Sequence, residues 1–225
     1  MQRLKNLALL LTGLFLFGSC TNNTNGKKGK VSDVDGNVYE TLTLGTQNWM
    51  VENLKTTKFN DGSVIPNVTD SSWKALKSGA YCWYGNDSAA NKKDFGALYN
   101  WFAVSTGKLC PAGWHVPSDK EWRMLTDYFG SESVAGKEMK STSGWSKSGN
   151  GLNSGGFTAL PAGYRSAKGS FGSRYGGGYW WSSSLSGDYA WYCVILSNEN
   201  TANKFYSHKE SGFSVRCVEN GPKPK

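Results

Sequence analysis

The sequence predicts one irregular α+β domain with two or three helices, short antiparallel strands and long loops. Three observations lead there. Ten Trp, eleven Tyr and 28 Gly accompany few long apolar runs, which is the composition of a turn-rich fold rather than of a helical bundle. One stretch, Ser118-Asp119-Lys120-Glu121, carries a complete helix-start signature. Strand-type runs gather at both ends of the domain, at 38–51 and 179–218.

Taken in chain order, the first element is a leader. Arg3 and Lys5 open it, an apolar run follows to Phe17, and Gly18, Ser19 and Cys20 close it. Residues 1–19 read as a secretory signal peptide, too short in its apolar core to span a bilayer. Phe17-Gly18-Ser19-Cys20 looks like a bacterial lipobox, with Phe17 where Leu is usual. Its cysteine would be acylated by palmitate-type chains and become the mature N-terminus. The other reading is a plain secreted protein with an incidental cysteine. Lipidation at Cys20 predicts a cell-envelope protein held by its anchor, at the outer membrane or cell surface, which removes cytosolic DNA, NAD and ATP from its reach. Residues 20–30 are Asn, Thr, Gly and Lys with almost nothing to bury, and read as a flexible tether.

The domain proper is expected over 31–219, with a tail at 220–225. A hairpin is predicted from strands 38–44 and 47–51 around a Gly45-Thr46 turn. Residues 59–78 are turn-rich, and 80–84 form a short aromatic strand. Leu98, Trp101 and Phe102 lie at helical spacing in 97–104, with Gly107 as a stop. The capped helix follows. Ser118 takes a free amide at the helix start and Glu121 reaches back, while Trp122, Leu125 and Phe129 make one apolar face that Gly130 ends. A weaker helical turn is expected over 133–140. Residues 141–178 are rich in Gly and Ser and predict long loops pinned by Trp145, Phe157, Tyr164 and Phe171. Strands at 179–183, 189–196, 204–208 and 213–218 finish the domain, with Asn198-Glu199-Asn200 as a turn.

Charge and motifs restrict the chemistry. The formal charge of +8 includes Arg3 and Lys5 of the leader and Lys27, Lys28 and Lys30 of the tether, so the folded part is mildly basic. That is not the clustered basic face of a nucleic-acid binder. Arg165, Lys168 and Arg174 do fall along one segment, which reads first as a solvated loop and second as an anion site. Of two histidines, His115 and His208, neither stands in a metal-ligand spacing, and no cofactor or metal is expected. Asp119 and Glu121 are accounted for by the cap. Asn86, Asp87 and Asp94 supply hard oxygens in one loop, but such residues are ordinarily turn formers. No nucleophile elbow or phosphate-binding loop occurs. Cys82, Cys110, Cys193 and Cys217 remain after Cys20, an even number that implies two disulfides in an exported chain, with three connectivities open.

Four ordered motifs carry a resemblance. They are Gly96-Ala97-Leu98-Tyr99-Asn100-Trp101, the run from Cys110 to Trp122 beginning Cys-Pro-Ala-Gly-Trp-His-Val-Pro-Ser-Asp, Tyr179-Trp180-Trp181-Ser182-Ser183, and Gly212-Phe213-Ser214-Val215-Arg216-Cys217-Val218. Together they resemble the Fibrobacter succinogenes major paralogous domain over about 31–219. That family is found largely in exported lipoproteins of Bacteroidetes-like bacteria. The resemblance implies a C-type lectin-like fold, with formylglycine-generating enzymes as relatives. The paired catalytic cysteines of those enzymes and the calcium-and-sugar tripeptides of lectins are both absent here. It also implies a Cys110–Cys217 bridge, since both are motif positions and such folds tie an early element to the final strand, which leaves Cys82 and Cys193 for the second.

These motifs assign Trp114, Trp122, Trp180 and Trp181 to the framework. Rings in the variable stretches then become the candidates for a binding face: Trp73, Trp145, Phe171 and Tyr175, with Arg165 and Arg174 beside the last three. A ring offers a stacking face, and a guanidinium holds hydroxyl, sulfate or carboxylate groups. The expected role is a non-catalytic binding module for a glycan or a surface protein. A structural or adhesin subunit is the alternative, and an enzyme related to the formylglycine-generating group a third reading.

Overall fold

The computed structural model describes residue 26 and residues 28–221. The leader, Cys20 and the end of the tail at 222–225 lie outside the described residues. The class is α+β, as the sequence predicts. Strand β1 (Lys28–Ser32) pairs antiparallel with β2 (Val38–Leu44), Lys28 opposite Leu42 and Ser32 opposite Val38. Strand structure therefore starts inside the expected tether. An edge strand needs no buried stripe when its backbone ladder is completed by a neighbour, and its two lysines discourage edge-to-edge association. The turn between β1 and β2 is organised by Asp33, whose carboxylate accepts from the amides of Asp35 and Asn37 and from the Tyr39 hydroxyl at 2.6 Å.

The predicted hairpin forms between β2 and β3 (Gln47–Met50). Strand β12 (Val218–Glu219) lies beside β3, with Val218 opposite Trp49, and β6 (Trp114–His115) lies beyond it, giving the order β1-β2-β3-β12-β6. The final strand is much shorter than expected. Residues 211–218 are buried throughout and thread the middle of the molecule, where single bridges join Gly212 to Arg165, Phe213 to Tyr99 and Ser214 to Trp180 before Val218 enters the sheet.

Between these elements, β4 (Tyr81–Cys82) pairs with β5 (Leu98–Tyr99), which takes the front of the segment predicted helical and leaves α2 as Trp101–Val104. Helix α1 (Ser88–Phe95) was not legible because it has no apolar stripe. It is held by polar groups instead: Asp87 caps it by accepting from the Ala90 amide, and Asn91 donates to the carbonyls of Tyr84 and Asp87. Helix α3 (Asp119–Tyr128) carries the predicted capping box, with the Ser118 amide donating to Glu121 at 2.8 Å. Helix α4 (Glu132–Met139) follows. A second sheet, β11-β10-β9, is built from β9 (Gly177–Ser186), β10 (Tyr189–Leu196) and β11 (Ala202–Ser207). In the long loop β7 (Tyr164–Arg165) pairs with β8 (Phe171–Gly172), and single bridges join Ala159 to Lys140 and Gly163 to Gly178.

Two large cores result. One gathers Tyr99, Trp181, Phe213 and Trp114; the other gathers Trp49, Trp122, Phe157 and Trp180. The four framework tryptophans are all buried, as expected. Arg216 is fully buried between the cores and the long loop. Its guanidinium donates to the carbonyls of Phe157 and Thr158 and to Asn53 Oδ1, and lies 4.2 Å from the Phe157 ring centre. Burial takes its pKa down to about 9, with Glu52 opposing the shift.

Cys110 and Cys217 are bridged across a sequence separation of 107. Closing a loop of that length restricts the unfolded chain by about 4–5 kcal/mol on the chain-entropy model. The second bridge is not formed. Cys82 sits with Trp73, Ala80 and Leu98, whereas Cys193 sits in the Trp49 core, so packing holds the two thiols in separate clusters. Burial pushes both thiol pKa values up, Cys82 to about 11.

Candidate functional site

The residues singled out for a binding face do not form one. Trp145 is 5% exposed, and its indole nitrogen donates to Ser141 Oγ at 3.0 Å and to the Ala159 carbonyl at 3.2 Å. It pins the loop to the core. Trp73 is fully buried and donates to the Glu210 carbonyl. Arg165, 2% exposed, is a staple: Nη1 donates to Val68, Nη2 to Asp70 and Nε to Gly169, all carbonyls, and the guanidinium stacks 4.4 Å from the Trp73 ring centre and 5.1 Å from Phe171. All three of its nitrogens donate to backbone, which commits the guanidinium to the fold. Phe171 is half-buried against Tyr84. Arg174 and Tyr175 do come together, the guanidinium lying 3.5 Å from the Phe95 ring centre and 4.8 Å from Tyr175, which is 49% exposed.

Rings converge elsewhere. Tyr164 of β7, Tyr179 of β9, Tyr192 of β10 and Phe213 line a cleft of about 420 Å³. Tyr164 meets Tyr179 edge-on at 4.9 Å, Tyr179 stacks on Phe213 at 5.6 Å, and Tyr192 tilts over Phe213 at 4.6 Å. Phe213 is buried and forms the floor; the three tyrosines are half-buried and form the walls. Sheet register explains the meeting: Tyr179 pairs with Val194, two residues along β10 from Tyr192, so both rings stand on one face. Tyr164 is carried in by the β7–β8 hairpin, which Arg165 fastens from below. Gly163 permits that approach. It adopts φ +71°, and a Cβ there would stand 2.6 Å from the Gly172 carbonyl oxygen and 2.7 Å from the Tyr84 ring.

The rim is polar. Ser166 and Lys168 come from the β7–β8 turn, Ser207 from the end of β11, and His208 and Ser211 from the segment after it. Burial raises the Tyr179 phenol, with the Ser173 hydroxyl opposing, and pushes Tyr192 up to about 12, so both stay neutral donors at physiological pH. Among the described residues, neither the Tyr164 nor the Tyr192 hydroxyl has a hydrogen-bond partner, while Tyr179 donates to Ser173 Oγ at 3.2 Å. Ring faces and unengaged hydroxyls suit a ligand with both apolar and hydroxylated surface.

A second cleft, about 500 Å³, opens at the start of α3. Glu121 and Asn220 of its lining are both engaged by His115: Nε2 lies 2.8 Å from Glu121 Oε1, and Nδ1 lies 2.6 Å from Asn220 Oδ1. Asp87 and Asp94, weighed as hard ligands, sit at opposite ends of α1, about 10 Å apart along its axis at 1.5 Å per residue.

Sequence reasoning missed the cleft because its rings come from four distant segments, three of which read as ordinary strands. The signal in the sequence was the density of tyrosine in those strands. Residues 42–219 match the model of the Fibrobacter succinogenes major domain. No curated protein and no solved structure matches the chain.

Proposed function

The chain belongs to the Fibrobacter succinogenes major domain family, and from that premise we propose that it is a non-catalytic, lipid-anchored binding module of the cell envelope that holds a carbohydrate in the tyrosine cleft. The observation that carries this reading is the convergence of Tyr164, Tyr179 and Tyr192 on Phe213 beneath a hydroxyl-bearing rim. The apolar face of a pyranose stacks on rings, and its hydroxyls need donors and acceptors at the edge. The volume lies within the roughly 300–1,000 Å³ of ordinary small-ligand sites. The leader and lipobox supply the location, with Cys20 as the acylated residue.

The test is a glycan array probed with the full-length chain in detergent, followed by titration of any hit. Tyr192→Ala should weaken that hit about tenfold or more, as loss of a stacking ring does, while the near-ultraviolet spectrum stays native. An array without hits, or a hit indifferent to Tyr192→Ala, refutes the cleft as a sugar site. Cys20→Ser should release the protein into the soluble fraction; retention of lipid label refutes the anchor.

One observation favours a surface protein as ligand instead. Strand β11 is an outer strand whose Phe205 and Tyr206 are 52% and 57% exposed. Binding lost in Tyr206→Asp but kept in Tyr192→Ala would select that reading.

A further inference from the structure

Resting on the carbohydrate reading, we propose that the cleft selects an acidic sugar, its carboxylate or sulfate set against Lys168 and His208 on the rim. The argument is an inventory of donors and acceptors. A neutral sugar presents pairs of hydroxyls, which are gripped best by planar two-point groups: carboxylates, which accept two hydrogen bonds, and side-chain amides, which accept one and donate another. The lining of this cleft contains neither. Its polar side chains are the hydroxyls of Tyr164, Tyr179, Tyr192 and three serines, the Lys168 ammonium and the His208 imidazole. A lining rich in donors and carrying one ammonium fits a ligand rich in acceptors and negative charge.

The nearby carboxylates Glu199 and Glu210 are held by partners other than Lys168, although Glu210 also acts on His208. Glu199, which acts on Tyr179, accepts from Thr201 Oγ1 at 3.0 Å and Asn203 Nδ2 at 3.1 Å. Glu210 is paired with Lys77. Among the described residues Lys168 forms no ion pair and is exposed. Beneath the same turn, the Arg165 guanidinium donates to the carbonyls of Val68, Asp70 and Gly169 and forms no ion pair among the described residues, so its positive charge adds to the field at the rim; the Asp70 carboxylate accepts from Ser72, which chiefly lowers its pKa.

The experiment is calorimetric titration of the full-length chain in detergent with three oligosaccharides of equal length: oligogalacturonate, its methyl ester, and a carrageenan fragment, which is sulfated but carries no carboxylate. At least one acidic chain should bind about tenfold tighter than the ester, with the advantage shrinking as salt shortens the screening length. Lys168→Gln, at an exposed side chain, should remove about tenfold for the acid and nothing for the ester, and Lys120→Gln on α3 should change neither. Binding of oligogalacturonate alone assigns a carboxylate, and of the sulfated chain alone a sulfate. Equal binding of acid and ester overturns the selectivity and leaves the carbohydrate reading standing. Hits for neutral glycans on the array with none for these three also overturn it, whereas silence in both experiments overturns both readings.

Discussion

Replacing Arg165 with lysine separates a structural staple from a ligand contact. The substitution keeps the charge and removes the planar fork. In the native protein the guanidinium spans two loops at once, with 2.6 Å to Val68 O and 3.0 Å to Asp70 O on one side and 3.0 Å to Gly169 O on the other. A lysine ammonium is a single point and reaches one of these sides. Two charge-assisted hydrogen bonds then go unmade at about 1.5–3 kcal/mol each, and the stacking on Trp73 weakens by about 1 kcal/mol. Allowing for what the ammonium regains, the loss is about 3–5 kcal/mol. A chain of this size shifts roughly 2–4 °C per kcal/mol, so the melting temperature should fall by roughly 6–20 °C. Circular dichroism melts read the fall, and ligand titration below the transition should give nearly native affinity per folded molecule. A melting temperature that hardly moves, together with lost affinity, would mean that Arg165 faces the ligand and that the packing described here is wrong.

Other perturbations probe separate parts of the fold. Burial pushes Glu121 up, but His115 and the Ser118 amide and hydroxyl outweigh it and hold the carboxyl at about 2, against an ordinary 4.5. Glu121 in turn raises His115 above its ordinary 6.5, burial opposing. The Glu121 contribution is complete above pH 4.5 and lost as pH falls toward 2, while that of His115 is complete below pH 6.5 and lost as pH rises through its raised value. Stability from the pair should therefore peak between pH 4.5 and 6.5, and Glu121→Gln should flatten both flanks of the curve; an unaltered profile in that variant would refute the coupling. Cys110→Ser should cost up to about 4–5 kcal/mol in denaturant titrations, and thiol labelling should reach Cys82 and Cys193 only after unfolding. A mapped Cys82–Cys193 peptide would contradict the two separate clusters. Gly163→Ala meets both a left-handed backbone and a carbonyl oxygen at 2.6 Å, so it should lower the melting temperature and weaken cleft ligands together; a neutral result would show that the β7–β8 hairpin is free to shift.

What the sequence determined by itself was local or carried by motif. The capping box of α3, the β2–β3 hairpin, the strand 189–196 and the looped character of 141–178 rest on residues a few positions apart, where hydroxyls, carboxylates and glycines act on their own backbone. The family motifs added the Cys110–Cys217 bridge and the buried tryptophans, because those positions are read as a set. Tertiary structure alone decided which rings face water. Trp145 and Tyr175 lie in the same polar loop, yet one is buried and the other exposed, because Ser141 and Ala159 wait opposite the first and only Phe95 and Arg174 flank the second. Arg165 has the sequence setting of a ligand residue, but the carbonyls of Val68 and Asp70, far away in the chain, take its guanidinium. Helix α1 and strand β1 stand on partners that their own patterns do not announce. The cleft is the clearest case: Tyr164, Tyr179, Tyr192 and Phe213 span nearly fifty positions, and what joins them is sheet register and a buried final segment. A side chain's exposure is set by what packs against it across the fold, and periodicity along the chain records only what it packs against locally.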